Sequence, residues 1–119
     1  MSGGSGEQAV LMAACGQMAK YYDLPCGIAA GMTDSKIPDA QSGYEKGYTV
    51  ALAGHSGANL IYESAGMHAS LLGCCLESYV IDNDMLGAIN RTVRGIEVNA
   101  ETLSLDQIRD VCLAGPGHY

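Results

Sequence analysis

The sequence predicts an α/β chain in which parallel strands are joined through helices, with about two strands and three to four helices in all. Two observations carry that prediction. Several windows repeat apolar residues at helical spacing, and between them lie two short apolar runs, CGIAAG at 26–31 and NLIYE at 59–63. Neither run alternates strictly between apolar and polar, which suits a strand covered on both faces, as in a parallel sheet.

The first helix is expected over 6–22. Ser5 with Gln8 has the S-x-x-Q form of a capping box, and Val10, Leu11, Ala14, Cys15, Met18, Tyr21 and Tyr22 recur on one stripe. Asp23, Leu24 and Pro25 stop it, because the residue before proline is pushed out of the helical region. After the first strand, MTDSKIP at 32–38 reads as a polar turn. A second helix opens near Pro38 or Asp39, with Ala40, Tyr44, Tyr48, Ala51, Leu52 and His55 as its expected inward stripe. The second strand follows, and residues 64–75 form a small-residue connection of no evident regular structure. A third helix is expected over 77–94, with Val80, Ile81, Met85, Ile89 and Val93 facing inward and Gly95 ending it. Ser104 and Gln107 have capping-box spacing for a last helix striped by Leu105, Ile108, Val111 and Cys112.

Strands separated by helices of this length imply parallel crossover connections. A two-stranded parallel unit is not expected to stand alone, since parallel sheets are covered on both faces and contain several strands. Either copies of the chain associate, or the unit is part of a larger α/β barrel.

Composition narrows the function. Apolar residues make up 48% of the chain and charged residues 16%, which is a globular balance. All aromatic content is seven Tyr, with no Phe or Trp, and sixteen Gly point to close backbone approach. Thirteen acidic against six basic residues give a net charge of −7, which disfavours nucleic acid and anionic lipid as partners. No window is long and apolar enough to span a membrane, and the first residues, MSGGSGEQ, lack the form of a secretory signal, so a cytoplasmic protein is expected. The five cysteines, Cys15, Cys26, Cys74, Cys75 and Cys112, show no CxxC or zinc-knuckle spacing. Buried free thiols are the expectation, and no metal site is foreseen.

At GMTDSKIPDAQSGYEKG, over 31–47, the chain resembles the trimethylamine methyltransferase family. The similarity continues through GANLIYESAG, VIDNDMLGAINRTVRGIEVNAETL and the closing GPGHY. It covers essentially the whole chain. The resemblance implies a (β/α)₈ barrel several times longer than this chain, so residues 1–119 are expected to be a carboxy-terminal part of a methyltransferase barrel domain. It also implies transfer of a methyl group from a methylamine or quaternary amine to the cobalt of a corrinoid (cobalamin) carried on a partner protein. This chain contains no pyrrolysine, so it looks more like the branch whose members demethylate quaternary amines such as glycine betaine.

The leaving group in such a reaction is a neutral amine, so no general acid is required. The protein must hold a cation, align it and exclude water. Barrel sites lie at the C-terminal ends of strands, here residues 31–36 and 62–68. Asp34 and Glu63 are the carboxylates placed to offset an ammonium charge, as the candidate catalytic pair. Thr33, Ser35, Lys36, Tyr62 and His68 are candidate substrate-binding residues, with the Tyr62 ring offering a cation–π face and Lys36 a partner for a substrate carboxylate. Each has a structural competitor. Asp34 and Ser35 suit a helix cap, Glu63 a structural ion pair, Tyr62 core packing and Lys36 a solvated loop. His55 reads as a core or interface residue, and Tyr21–Tyr22 and Tyr44–Tyr48 as helix-packing pairs rather than a cation cage. An inert, self-associating piece and a small cationic-amine binding module are the other readings, and a homo-oligomer is expected because the apolar stripes must be covered.

Overall fold

A computed structural model describes residues 2–114 of the chain. The closing GPGHY block, with His118, lies outside the described residues. The elements run α1 (Gly6–Tyr21), β1 (Gly27–Ala29), α2 (Ala40–His55), β2 (Leu60–Tyr62), β3 (Met67–His68), β4 (Gly73–Cys74), α3 (Leu76–Arg94), α4 (Ala100–Leu103) and α5 (Leu105–Ala114). β1 and β2 are parallel, in the register Ile28 opposite Ile61, and α2 is the connection between them. The expected order is therefore present. β3 and β4, a two-residue antiparallel pair, fill the connection for which no regular structure was foreseen. No helix among the described residues is long and apolar enough to cross a membrane.

The caps explain the helix boundaries. Ser5 is the N-cap of α1, its hydroxyl accepting from the Gln8 N–H. Only that half of the box forms, since Gln8 Oε1 is buried without a hydrogen-bond partner. Asp39 caps α2 by accepting from the Ser42 N–H at 2.8 Å, and that bond holds its carboxyl below the usual range. Gly95 ends α3 at φ 72°, as expected. The predicted box at Ser104 does not form. Ser104 sits in the left-handed region at φ 50° and turns its hydroxyl back to the Glu101 carbonyl, while the complete box is Asn99 with Thr102 at α4.

The larger correction concerns which helix faces turn inward. The core is Ile28, Ala30, Val50 and Ala53, with Met12, Ile61, Met85, Leu86 and Ile89 packed around it. On α1 the buried residues are Gln8, Ala9 and Gly16, and the expected stripe of Val10, Leu11, Met18, Tyr21 and Tyr22 lies exposed. On α2 the inward face is Ser42, Glu45, Lys46, Thr49, Val50 and Ala53; Tyr44 and Leu52 point away, and His55 is exposed, its Nε2 3.1 Å from Thr92 Oγ1. Tyr21 lies edge-on to Tyr22, and Tyr44 stacks on Tyr48. Val80, Ile81 and Val93 of α3 are likewise exposed, and the buried positions are Ser78 and Asp82. On α1 the small residues Ala9 and Gly16 take inward positions because the helix lies close to its neighbours: a Cβ on Gly16 would stand 2.9 Å from Ile28. All five cysteines are free, but Cys15, Cys74 and Cys112 are exposed rather than buried.

One buried ion pair ties these layers together. Lys46 is 0% exposed, and its Nζ lies 2.7 Å from Asp82 Oδ2. The same oxygen accepts from the Gly66 N–H at 2.7 Å, so α2, α3 and the loop after β2 meet at one atom. At the end of β1, Gly31 has φ 98°, and a Cβ there would stand 2.6 Å from the Ser64 backbone. Only glycine lets the two strand-end loops lie against each other there.

The chain is extended for its length. Its Cα radius of gyration is 19.2 Å, against about 13.5 Å for a compact domain of this size. No residue of α4 or α5 is buried, and Leu105, Ile108 and Leu113 are exposed.

Lys46→Met is expected to destabilise the chain by about 3–5 kcal/mol in chemical denaturation, because Asp82 keeps its charge without a counter-ion. The double variant Lys46→Met/Asp82→Leu should recover part of this, leaving the Gly66 amide as the residual cost. Asp39→Ala should destabilise the chain most above the usual carboxylate range. Because the folded value is lowered, the difference from the parent should shrink as pH falls through it, in thermal melts over an acid pH series.

Candidate functional site

Three segments meet beyond the C-terminal ends of β1 and β2. The backbone amides of Ala69 and Ser70 donate to the carbonyls of Ser35 and Thr33, both at 2.8 Å, and this joins the 66–70 loop to the 31–35 loop. The Gly3 amide donates to Asp34 Oδ1 at 3.0 Å, which brings in the segment before α1. The Ser70 hydroxyl donates to the same oxygen at 2.8 Å. The Tyr48 hydroxyl donates to the Gly4 carbonyl, and burial, followed by the Glu45 charge, pushes its pKa up. Gly4 is confined there, since an added Cβ would stand 2.2 Å from Glu45 Oε2.

Glu45 is the centre of the cluster. Its Oε2 accepts from the Thr33 hydroxyl at 2.6 Å and from the Asp34 N–H at 2.8 Å, and its Oε1 accepts from Gln41 Nε2 at 2.9 Å. Three donors on one buried carboxylate match the inventory a charged group needs away from water. Among the described residues no basic side chain lies within ion-pairing distance of Glu45 or Asp34. The one buried lysine beside them is already neutralised by Asp82. The strand ends therefore carry unbalanced negative charge.

The sequence-predicted residues divide into two groups. Thr33, Asp34, Ser35 and His68 are brought together. Thr33 is fully buried, Asp34 is half-buried, and Ser35 is held by a turn in which its N–H donates to Thr33 Oγ1 and its hydroxyl to the Ile37 carbonyl. His68, 3% exposed, has Nδ1 3.3 Å from the Ser35 carbonyl and Nε2 2.5 Å from the Ser78 hydroxyl. A carbonyl only accepts, so Nδ1 carries a proton, and Nε2 is the nitrogen that shares a hydrogen bond with the Ser78 hydroxyl. Lys36, Tyr62 and Glu63 stand apart. Lys36 is exposed. Tyr62 is 46% exposed, with its ring over Gly27 on the neighbouring strand rather than in a core. Glu63 is half-buried at φ 64°, and among the described residues no hydrogen bond joins its side chain to the cluster. Asp34 caps no helix, that place being taken by Asp39.

Sequence reasoning passed over Glu45, Lys46, Ser70, Ser78 and Asp82. A signal for the first two was available. Ser42, Glu45, Lys46, Thr49, Val50 and Ala53 recur at i, i+3, i+4, i+7, i+8 and i+11, as regular a stripe as the tyrosine one. A separate cleft of about 310 Å³ opens between α2, β2 and α3, lined by Val50, Gly54, Ile61, Leu86 and Ile89. Asn59, Ser64 and Asn90 make about half of its wall polar, and Ser64 is the strand-end residue that reaches it.

Glu45→Gln is expected to cost about 1–3 kcal/mol in denaturant unfolding, since an amide must turn a donor toward Thr33 and Asp34 or Gln41 loses its acceptor. Glu63→Gln should stay within about 0.5 kcal/mol of the parent.

The model of the family described as trimethylamine methyltransferase (MTTB) matches residues 1–119. A trimethylamine methyltransferase MttB from Desulfitobacterium hafniense is 42% identical over 112 residues, covering 94% of this chain and 22% of the relative. That of Methanosarcina thermophila is 41% identical over 108 residues, covering 91% of this chain and 22% of the relative. A glycine betaine methyltransferase from Desulfitobacterium hafniense is 31% identical over 119 residues, covering 100% of this chain and 24% of the relative. The chain thus spans between a fifth and a quarter of the length of these relatives, and the trimethylamine enzymes are the more similar to it, against the expectation of a nearer likeness to the glycine betaine branch.

Proposed function

The chain belongs to the trimethylamine methyltransferase family, and we propose that it contributes the cation-holding strand ends of a barrel enzyme that moves a methyl group from a methylamine or quaternary amine to a corrinoid. The observation that supports this reading is the pair Glu45 and Asp34, two carboxylates supplied with hydrogen-bond donors but, among the described residues, with no basic side chain in ion-pairing range. A trimethylated or tetra-alkylated nitrogen disperses its positive charge over its alkyl groups. It is held by nearby negative charge and by exclusion of water rather than by a bidentate fork.

In this scheme Asp34 and Glu45 lower the energy of the bound cation, and the Thr33, Gly3 and Ser70 donors keep both carboxylates in position. Glu63 and Tyr62 would close the site from the β2 side and Lys36 would meet a substrate carboxylate, each from the rim of the cluster. When methyl leaves, the amine becomes neutral, and no residue need donate a proton to it. Cobalt chemistry is supplied by a corrinoid on a partner protein.

A second reading, an inert piece that self-associates, is favoured by the radius of gyration of 19.2 Å and by the exposed apolar faces of α1 and α5. Calorimetry separates the two. Under the first, a trimethylammonium compound binds the chain, its uncharged tert-butyl analogue does not, and Glu45→Gln or Asp34→Asn weakens binding about tenfold. Equal binding of the uncharged analogue, or no binding of either, contradicts the cation-holding role and leaves the inert piece.

A further inference from the structure

A second cluster of reactive side chains, built around His68, lies beside the strand ends. Cys75 is the N-cap residue of α3, in extended conformation, and its side chain makes no capping hydrogen bond. Its thiol is directed elsewhere. Cys75 Sγ lies 3.1 Å from Ser78 Oγ, to which it donates, and 3.6 Å from His68 Nε2. Ser78 Oγ is in turn 2.5 Å from His68 Nε2. The opposite ring nitrogen is fixed as the protonated one by the Ser35 carbonyl. The basic lone pair of a buried, oriented imidazole therefore faces the thiol, both directly and through one hydroxyl.

We propose that Cys75 is a nucleophilic thiol, with His68 as its base and Ser78 as the proton carrier between them, and that it is a covalent modification site for small uncharged carbon electrophiles. Three features distinguish it from an ordinary thiol. Its base is 3% exposed and Ser78 is 1% exposed, so the proton path is shielded from water. The base is oriented by a third group, the arrangement that activates cysteine and serine nucleophiles. A thiolate formed here would also lie at the N-terminus of the 19-residue α3, where the exposed amides favour negative charge. Cys75 itself is partly exposed, so a small reagent can reach the sulfur.

The step balances without any further reactant. Sulfur attacks the electrophilic carbon, a carbon–sulfur bond forms, and the leaving group departs with the bonding electrons. The thiol proton passes to Ser78 as the Ser78 proton passes to His68 Nε2, and once sulfur is alkylated the imidazolium returns its proton through the Ser78 hydroxyl to water at the partly exposed Cys75 side.

Iodoacetamide tests this on the full chain, with iodide as the leaving group and peptide mass spectrometry reading each cysteine separately. Cys74 is the internal standard, adjacent in sequence and more exposed. In the native chain Cys75 should be alkylated about tenfold or more faster than Cys74, and in urea the two rates should converge. His68→Gln should abolish the excess, and Ser78→Ala should reduce it, with the Cys74 rate unchanged. Should either variant fail to fold by circular dichroism, the native-to-urea comparison of the parent chain still decides. A native Cys75 rate no greater than that of Cys74 overturns the proposal. So does an excess that survives His68→Gln in a folded variant.

Discussion

A lysine with no exposed surface must find its counter-charge inside, and the position of everything around it follows from where that counter-charge sits. Lys46 finds it at Asp82. The cost of desolvating both ions is several kcal/mol each, and the pair is tolerable only because Asp82 is further satisfied by the Gly66 amide. That three-way contact sets the spacing of α2 and α3 and draws in the loop after β2. It also fixes the rotation of α2 about its axis. With Lys46 aimed at α3, the adjacent Glu45 is aimed at the end of β1, and Tyr44 is left outside.

Charge at the strand ends is a consequence of the same arrangement. Because Lys46 is spent on Asp82, it is not available to Glu45, and the donors around Glu45 and Asp34 are neutral hydroxyls and amides. The result is a rigid anionic cluster built from three segments far apart in sequence. The shape of the molecule sets the scale on which that cluster operates. The two-strand parallel unit, the exposed apolar face of α1 and the unburied α4 and α5 leave much apolar surface uncovered among the described residues. Family membership attaches to the chain itself, which spans between a fifth and a quarter of the length of its relatives.

Local chemistry made much of the fold legible. Ser5, Asp39 and Gly95 mark helix ends within a residue or two, because caps depend on near neighbours and positive φ. The two non-alternating runs gave the parallel strands. Orientation of the helices was not legible, and the reason is physical. Periodicity identifies a stripe but not which of two equally regular stripes is buried; on α1 size decided against the larger one, and on α2 the Lys46–Asp82 pair decided. At Gly16 of α1, a methyl group would stand 2.9 Å from Ile28; the tyrosines and leucines opposite have no room there. Buried Glu45 and Lys46 were missed because the usual expectation for a charged residue is exposure, which fails only when specific partners wait across 11 and 36 residues of chain. The strand-end positions of Thr33, Asp34, Ser35 and His68 do come together, while Lys36, Tyr62 and Glu63, chosen on the same ground, stand apart from them.

Native-state hydrogen exchange tests most directly the claim that the Lys46–Asp82–Gly66 contact holds the strand ends together. The amides of Gly66, Asp34 and Gly3 each donate to a carboxylate in or beside this cluster. On this account Gly66 and Asp34 exchange only through opening of the whole core, as slowly as the amide of Ile28, while the amides of α5 exchange rapidly. Gly66 and Asp34 amides exchanging as fast as those of α5, with Ile28 still protected, would contradict it.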